Sequence, residues 1–304
     1  MKQLKITEDF VGTRLDRFLR KQNLNLKQGD IEVALRKSQI RINSKKQKSS
    51  YRLQLSDIVE IDEKLELPEN LPLKKQVSFN ADIIKKIENS IIYKDKDILV
   101  INKPQGLAVQ GGSKILHSLD NYLSHMLRDD LPKLVHRLDK DTSGVMIVAL
   151  NNKSAAELSR LLKERQVKKT YLCVVIGEVI KKQGTIKLHL TQDFNVKSSL
   201  DEGKESVTNY KLLDKTKIAS LLEMSPITGR KHQIRVSCLE LGHPILGDGK
   251  YGGRAAFIKS FSNVLHLHAK TIEIDDFFGK KLQFSAPLPA HMLETCEFLR
   301  FNGN

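Results

Sequence analysis

The sequence predicts an α+β protein in which a mixed, mainly antiparallel sheet follows a small N-terminal αβ module. Strand-like alternation of apolar and polar residues dominates from about residue 88 onward. The helical segments do not alternate regularly with these strands, so a doubly wound parallel sheet is disfavoured. The first sixty residues carry their own apolar periodicity and their own excess of basic residues, which marks them as a separate module.

Residues 1–62 are the first predicted domain. Apolar residues fall at helical spacing in RLDRFL and again around Ile31. The segment IRIN, residues 40–43, then alternates as a strand does, and DIVEID, residues 57–62, alternates again after a polar turn. The predicted order of elements is therefore helix, helix, strand and strand.

Residues 63–87 are predicted to be a linker with a short helix near residues 83–87, because prolines and charges interrupt the periodicity. Residues 88–304 are the second predicted domain. Its expected elements in chain order are two strands split by a charged turn, a glycine-rich loop, a helix over 115–127, strands at 134–135 and 145–150, a helix over 154–165, a strand over 170–176, and strands through 185–224 and 264–285.

The charge of the chain predicts a polyanionic partner. Its 304 residues include 51 Lys and Arg against 36 Asp and Glu, a net charge of +15. Between Arg14 and Arg52 there are twelve basic and three acidic residues, a local charge of +9. Charge concentrated on one small module favours a phosphate-binding face over general solubility, and hence nucleic acid as the partner.

Several classes of protein are excluded by the sequence. The uninterrupted apolar run Val145–Leu150 has six residues, and a membrane span needs roughly 18. The N-terminus lacks the apolar core of a secretory signal, and three widely spaced cysteines predict no disulfide framework, so we expect a cytoplasmic protein. No phosphate-binding loop, dinucleotide fingerprint or zinc spacing is present, so we expect neither a cofactor nor a metal.

The stretch VHRLDKDTSG, Val135–Gly144, places a histidine, an arginine and two aspartates between two strand-like segments. Asp139 is the candidate catalytic residue, because a carboxylate held by a loop at a strand end can act as a nucleophile or a general base. By strand alternation, His136 and Arg137 point to different faces beside it. The alternative is that Asp139 or Asp141 only caps a turn, the commonest task of an aspartate in a loop.

A second cluster lies in SPITGRKHQIRVSCLELGHPILGDGKYGG, Ser225–Gly253. Thr228 is expected to cap a helix that ends before Gly242. The start of that helix would carry Arg230, Lys231, His232 and Arg235. These charges oppose the helix dipole, and such local conflict is typical of functional sites. An arginine near Asp139 would lower the pKa of that carboxyl and keep it ionised. The alternative is a basic surface helix that grips phosphates.

The third cluster is RQVKKTYLCVV, Arg165–Val175, in which Tyr171 opens a strand after a group of basic residues. Tyr171 is a candidate for the site. The alternative is a packing role with its hydroxyl at the rim of the core, which is usual for a tyrosine in a strand.

Four segments in this order resemble the RluA-type pseudouridine synthases. They are KPQGLAVQGG, HRLDKDTSG, KKTYL, and TGRKHQIRV with GHPILGD. The resemblance covers roughly residues 88–290 and its HRLDxxTSG element is highly specific. The sequences GLAVQGG and TSG resemble those of the large-subunit type C branch of the family more than those of the type D branch. Ser237 stands where a histidine is usual, so nothing is carried over at that position.

The resemblance implies the pseudouridine synthase fold and its reaction. A uridine within RNA would be flipped out of its stack, detached at C1′, rotated and reattached through carbon. Asp139 would act on the sugar or the base, Tyr171 would lie against the base and help remove the C5 proton, and Arg235 would pair with Asp139. Arg137 would fill the space left by the extruded base. The other candidates for RNA contact are His136, Arg230, His232 and Gln233.

Residues 1–62 resemble the small RNA-binding module of the small-subunit ribosomal protein S-four, through RLDRFL, the second basic helix, IRIN and the strand beginning SDIVEI. The candidate phosphate contacts in this S-four-like module are Arg14, Arg17, Arg36, Lys37 and Arg41. Ser38, Ser44 and Ser56 stand where glycines are usual in such modules.

We therefore expect a two-domain enzyme that converts specific uridines to pseudouridine in 23S rRNA of the large ribosomal subunit or its precursor. It is expected to act as a monomer, without cofactor, metal or membrane. One alternative is a non-catalytic rRNA-binding assembly factor, and another is a synthase acting on a different site or RNA, as in the type D branch. A retaining glycosidase or nucleosidase using Asp139 and Asp141 is disfavoured, because two carboxylates in one tight loop are poorly placed to flank a scissile bond.

Overall fold

A computed structural model describes residues 2–22, 26, 28–62, 65, 79–111, 117–127, 132–191 and 203–301. The chain divides into two compact units, Met1–Val77 and Ser78–Asn304. Most of the predicted linker, residues 63–64 and 66–78, lies outside the described residues.

The N-terminal unit is a three-stranded sheet with two helices. Its elements are β1 Lys2–Lys5, α1 Leu15–Lys21, α2 Gln28–Arg36, β2 Ile40–Ile42 and β3 Ile58–Ile61, with a 3₁₀ turn at Glu8–Phe10. The central strand β3 pairs antiparallel with both β1 and β2. Apolar residues of both helices, including Leu15, Leu19 and Ile31, are fully buried in a core shared with Val59. The predicted helix, helix, strand and strand are therefore present in order, and β1 precedes them as a strand that was not predicted from the sequence.

The turns of this unit need a left-handed backbone at three serines. Ser38, Ser44 and Ser56 have φ angles of 60°, 63° and 74°. Only glycine adopts this region without steric cost. The fold therefore imposes a positive φ on these three serines, which stand where such modules usually have glycine.

The second unit is built on a ten-stranded sheet. Its strands are β4 Ile91–Lys94, β5 Ile98–Lys103, β6 Lys133–Leu134, β7 Ser143–Ala149, β8 Val167–Ile176, β9 Gln183–Leu190, β10 Lys204–Lys215, β11 Ala219–Pro226, β12 Leu267–Phe277 and β13 Lys280–Ser285. The order is β4-β5-β7-β12-β8-β11-β10-β9, with β13 beside β12 and β6 beside β7. Among the described pairs, β7 with β12 is parallel and the others are antiparallel, which confirms the predicted α+β class.

Strand β7 lies at the centre of this core. All seven of its residues are buried, and β5, β6 and β12 pair with its edges. A strand buried on both faces needs an unbroken apolar run in place of alternation. The run Val145–Leu150 is therefore the signature of the central strand.

The helices of the second unit are α3 Ala81–Glu88, α4 Leu119–Met126, α5 Asn152–Lys163, α6 Gln233–Glu240 and α7 Ala290–Leu299. The short helix expected near residues 83–87 is α3, whose first turn is capped by the side chain of Asn80. Helix α4 begins at Leu119, later than predicted, with Ser118 as its cap. Residues 115 and 116 of that prediction lie outside the described chain.

Helix α6 also begins later than predicted. Thr228 is not its cap: the Thr228 hydroxyl donates to the Gln233 side chain and accepts from the backbone N–H of Val207. The residue before the helix is His232, which has a left-handed φ of 55°. Arg230 and His232 therefore lie in the loop that leads into α6, and the helix ends before Gly242, at a φ of 83°, as expected.

Candidate active site

The predicted site residues of the second unit meet in one pocket. Its volume is about 470 Å³, and its walls come from the loop between β6 and β7, from β8, and from the end of β11 with the start of α6. The predicted residues that line it are His136, Arg137, Asp139, Tyr171, Arg230, His232, Gln233 and Arg235. Three segments that are distant in sequence are thus brought together around Asp139.

The loop that carries Asp139 is fixed by the KPQG segment. The Lys103 ammonium, fully buried, donates to the carbonyls of Pro104, Leu107 and Lys140 at 2.8, 3.0 and 3.1 Å. The backbone N–H of Gly106 also donates to the Lys140 carbonyl. Burial lowers the pKa of Lys103 to about 7, against the opposing effect of nearby aspartates. The residue after Asp139 is therefore held from two sides.

The far end of this loop is fixed by a close backbone contact. Gly144 has a φ of 117°, and a Cβ atom there would lie 2.2 Å from the carbonyl oxygen of Ala269. Beside it, the Ser143 Oγ lies 2.8 Å from Nδ1 of His268 on β12. Glycine is needed because β12 approaches β7 more closely than any side chain allows.

The carboxylate of Asp139 reaches the pocket without a tight ion pair. Its side chain is 19% exposed, and Nε2 of His232 lies 3.8 Å from Oδ1. The other ring nitrogen of His232 lies 2.8 Å from the hydroxyl of Tyr251. Burial lowers the pKa of His232 although the charge of Asp139 acts to raise it. The carboxylate oxygens consequently remain accessible to a substrate.

Arg235 does not form the expected ion pair with Asp139. Its Nε and one terminal nitrogen donate to the two oxygens of Asp248 at 2.8 and 2.6 Å. Burial acts to lower the pKa of Arg235, but the hydrogen bond and charge of Asp248 outweigh it and raise the pKa above its ordinary value. The charge of Asp139 contributes in the same direction. Arg235 therefore acts on Asp139 through space, while Asp248 holds it in place.

Tyr171 lies in the pocket wall as predicted. Only 9% of the residue is exposed, and among the described residues none hydrogen-bonds to its hydroxyl. Burial, followed by the charge of Asp139, raises the pKa of Tyr171 above its usual range. The phenol is thus protonated and faces the cavity, so it is placed for contact with a planar ligand.

Gln233 has a positioning role in place of the expected RNA contact. Its carbonyl oxygen accepts from the Thr228 hydroxyl and the Arg230 N–H, and its amide nitrogen donates to Val207 and Thr208. All four hydrogen-bonding positions of the amide are used within the protein. Gln233 therefore fixes the basic loop before α6.

The remaining predicted residues are the half-buried His136 and the exposed Arg137 and Arg230. Nε2 of His136 accepts from the backbone N–H of Ile147 at 3.0 Å, and burial, with the charge of Lys169, lowers the pKa of His136 to about 3. His136 is therefore a neutral structural acceptor. Arg137 and Arg230 are exposed at the rim, where they can meet phosphates.

The N-terminal unit presents most of its predicted cations to solvent. Arg17, Arg36 and Lys37 are exposed. Arg14 is bidentate to Asp16, with the shorter contact at 2.7 Å, and Arg41 donates to the Ser38 carbonyl. Arg14 and Arg41 thus have partners inside the unit. Arg17, Arg36 and Lys37 are therefore its most accessible candidates for phosphate binding.

Sequence reasoning missed four residues of the site. The sequence gives no role to Asp248, Tyr251 or Lys103, and Lys169 is one of several basic residues in KKTYL. A signal existed for Lys103, since a lysine directly after a buried strand run is unusual. No motif or spacing near Arg235 in the sequence indicated that Asp248 would be its partner.

The described residues contain no group of three or more metal-ligating side chains, and none of their helices is long and apolar enough to cross a membrane.

Comparison with known proteins agrees with the fold. The family model described as RNA pseudouridylate synthase matches residues 97–240. A Rickettsia bellii protein named ribosomal large subunit pseudouridine synthase C is 42% identical over 92% of this chain and 96% of its own. A Vibrio cholerae protein of the same name is 34% identical over 97% and 96%. The solved structure of human RNA pseudouridylate synthase domain containing 4 has a TM-score of 0.61 at 28% identity, over 72% of this chain and 96% of that chain.

The sheet, the aspartate-centred pocket and these matches define an RNA-modifying isomerase. The chain belongs to the RNA pseudouridylate synthase family, which confirms the resemblance seen in the sequence. Its activity is the isomerisation of uridine to pseudouridine within RNA, and it is similar over most of its length to relatives that carry the type C name.

Proposed function

We propose that this enzyme forms pseudouridine in 23S rRNA of the large ribosomal subunit, with Asp139 as its essential carboxylate. The observation that carries the proposal is the pocket that joins Asp139, Tyr171 and Arg235 from three segments. The substrate follows from relatives at 34–42% identity over most of the chain, whose names refer to the large subunit. We infer that an enzyme with this substrate acts in the cytoplasm, and we expect it to act as a monomer.

Binding begins at phosphates. The exposed Arg137 and Arg230 at the pocket rim and the exposed cations of the N-terminal unit offer contacts that carry no sequence information but position the strand. These contacts offset the few kcal/mol needed to flip one uridine out of its stack. Because Arg137 is exposed beside Asp139, it is placed to occupy the gap that the flipped base leaves.

Chemistry then requires one ionised carboxylate and no transferred group. Asp139 meets the flipped nucleotide, Tyr171 packs against its base, and Arg235 supplies a fixed positive charge nearby. Preorganised charges of this kind act without reorganising during the reaction. The base is detached, turned and rejoined inside the pocket, so water has to be excluded from it.

The test is the Asp139→Asn variant, which keeps the shape of the side chain and removes its charge. We expect tritium release from C5-labelled uridine in a large-subunit rRNA fragment to fall by at least about 10⁴-fold, as for loss of an essential group. The Kd for the same RNA should stay close to the wild-type value. The matched control is Asp141→Asn, in the same loop, which should retain most of the activity.

Wild-type turnover by Asp139→Asn would remove Asp139 from the mechanism. The substrate is tested separately, by mapping pseudouridine in rRNA from cells that lack the enzyme. Pseudouridine lost from 23S rRNA supports the proposal, whereas loss only from another RNA would contradict it.

A further inference from the structure

Lys169 occupies the active pocket next to Tyr171. Side chains at i and i+2 of a strand share a face, and Lys169 and Tyr171 of β8 both line the cavity that contains Asp139. The neighbouring Lys168 points to the other face, where its Nζ binds Asp275 at 2.8 Å. The two adjacent lysines of KKTYL therefore have opposite surroundings.

Within the part of the chain that the structure describes, the charge of Lys169 has no partner. No hydrogen bond or ion pair to its ammonium exists among the residues that the structure describes. Among the described residues, Ser206 Oγ is the one fully buried side-chain polar atom without a hydrogen-bond partner. Nζ of Lys169 also has no partner among them, so it cannot be fully buried and must be partly accessible from the pocket. Burial lowers the pKa of Lys169 below its ordinary value. Holding a desolvated, unpaired cation costs free energy, and such groups cluster where a ligand supplies the missing charge.

The negative group that would pair with Lys169 is expected on the base of the bound nucleotide and not on its phosphates. Phosphates remain on the outside of a flipped nucleotide, where the exposed Arg137 and Arg230 lie. Lys169 is half-buried, on the strand of the nearly buried Tyr171, and its charge lowers the pKa of His136, which lines the same pocket. The group that Lys169 meets is therefore the uracil ring.

We propose that Lys169 is a catalytic residue whose ammonium stabilises the negative charge that develops on the uracil ring during isomerisation, given the proposed binding of uridine in this pocket. The C1′–N1 bond breaks and its electron pair remains on the ring, spread over N1, O2 and O4. The ring then turns, C5 bonds to C1′, the proton leaves C5, and N1 gains a proton. No atom or electron is gained overall, and Lys169 keeps its proton throughout.

The experiment compares Lys169→Met and Lys169→Arg in the full chain, under single-turnover conditions with excess enzyme. We expect Lys169→Met to lower the rate constant of tritium release by about 100-fold or more, as for other fixed charges aimed at a transition state. Lys169→Arg should recover at least about tenfold of that loss, because the charge returns. The matched control is Lys168→Met, on the opposite face, with a rate close to that of the wild type.

Two further readouts separate this role from others. The melting temperature of Lys169→Met should equal or exceed that of the wild type, because an apolar side chain replaces an unpaired cation. A marked fall in melting temperature together with a lost rate would make Lys169 structural. An unchanged rate constant with weaker RNA binding and a salt slope smaller by about one would make it a phosphate contact. Either result would overturn the proposal.

A wrong assignment of the substrate can be distinguished from a wrong role for Lys169. The Lys169 test uses the ratio of variant to wild-type rates on any uridine-containing RNA that the wild type modifies. If the wild type ignores the large-subunit fragment, the proposed substrate fails and the ratio is measured on another RNA.

Discussion

At the residue scale, Arg235 is held by Asp248 and not by Asp139, the carboxylate for which we propose that it supplies a positive charge. Asp248, 1% exposed, takes both of its hydrogen bonds, and the ring of Tyr251 lies 5.0 Å from the guanidinium carbon. A direct pair with Asp139 would occupy the oxygens that the substrate must reach. Fixing Arg235 through Asp248 leaves those oxygens accessible and still places a positive charge near them.

The first prediction concerns the buried pair. Asp248→Asn should lower the free energy of unfolding by about 3 kcal/mol, because it leaves the charge of Arg235 buried without a counter-charge. Urea unfolding followed by circular dichroism measures this change. Asp275→Asn, whose partner Lys168 is exposed, should cost less than about 1 kcal/mol. Equal effects of the two substitutions would show that Asp248 is not needed to compensate Arg235.

At the element scale, the site depends on where strands and helices begin. The late start of α6 leaves Arg230 and His232 in a loop, where they can reach the pocket. The early start of β7 at Ser143 brings the Asp139 loop against β12. Both starts are set by contacts with other elements: Gln233 with β10 residues in one case, and Gly144 with Ala269 in the other.

Gly144→Ala tests the contact between β7 and β12. Its Cβ would overlap the backbone of Ala269 at a φ that side chains rarely adopt, so we expect a loss of about 3 kcal/mol or more in unfolding free energy. Gly106→Ala is the control, because its φ of 78° is also positive but nothing lies within 4 Å. It should cost about 1 kcal/mol, the price of left-handed backbone alone. Similar losses in both would mean that β12 can move away.

Ser56→Gly tests the turns of the N-terminal unit. Ser56 is exposed at a φ of 74°, so glycine should relieve left-handed strain and raise the stability of this unit by about 0.5–1 kcal/mol. Ser50→Gly is the control, since Ser50 is exposed and not at a positive φ. It should leave stability unchanged or lower it. Thermal unfolding of the two variants checks the difference, and destabilisation by Ser56→Gly would contradict the strain.

At the scale of the whole molecule, charge is divided between two compact units, for which we propose separate tasks. The N-terminal unit has its own sheet and its own core, and it exposes Arg17, Arg36 and Lys37. The catalytic unit holds the pocket, with its own basic rim. We therefore expect RNA affinity and catalysis to respond to different substitutions.

Replacing Arg17, Arg36 and Lys37 by glutamine in the full chain should weaken rRNA binding. The slope of log K against log salt should become shallower by about 2, from three lost phosphate contacts at about 0.7 each. The rate constant at saturating RNA should stay near the wild-type value. Replacing Lys280 and Lys281 of β13 by glutamine is the control, with an unchanged slope expected. An unchanged slope in the triple variant would remove these residues from the RNA-binding face.

The sequence by itself determined the class of fold, most helices and strands, and the residues around Asp139. These depend on periodicity and on short motifs, in which each residue is judged against close neighbours in the chain. The tertiary structure alone decided which charges are paired. Asp248 pairs with Arg235 across 13 residues, and the Lys103 ammonium donates to the carbonyl of Lys140 across 37. Among the described residues, Lys168 has an ion-pair partner and Lys169 has none. Which charged side chains pair depends on their distance and burial after folding. The order of residues along the chain specifies neither quantity directly.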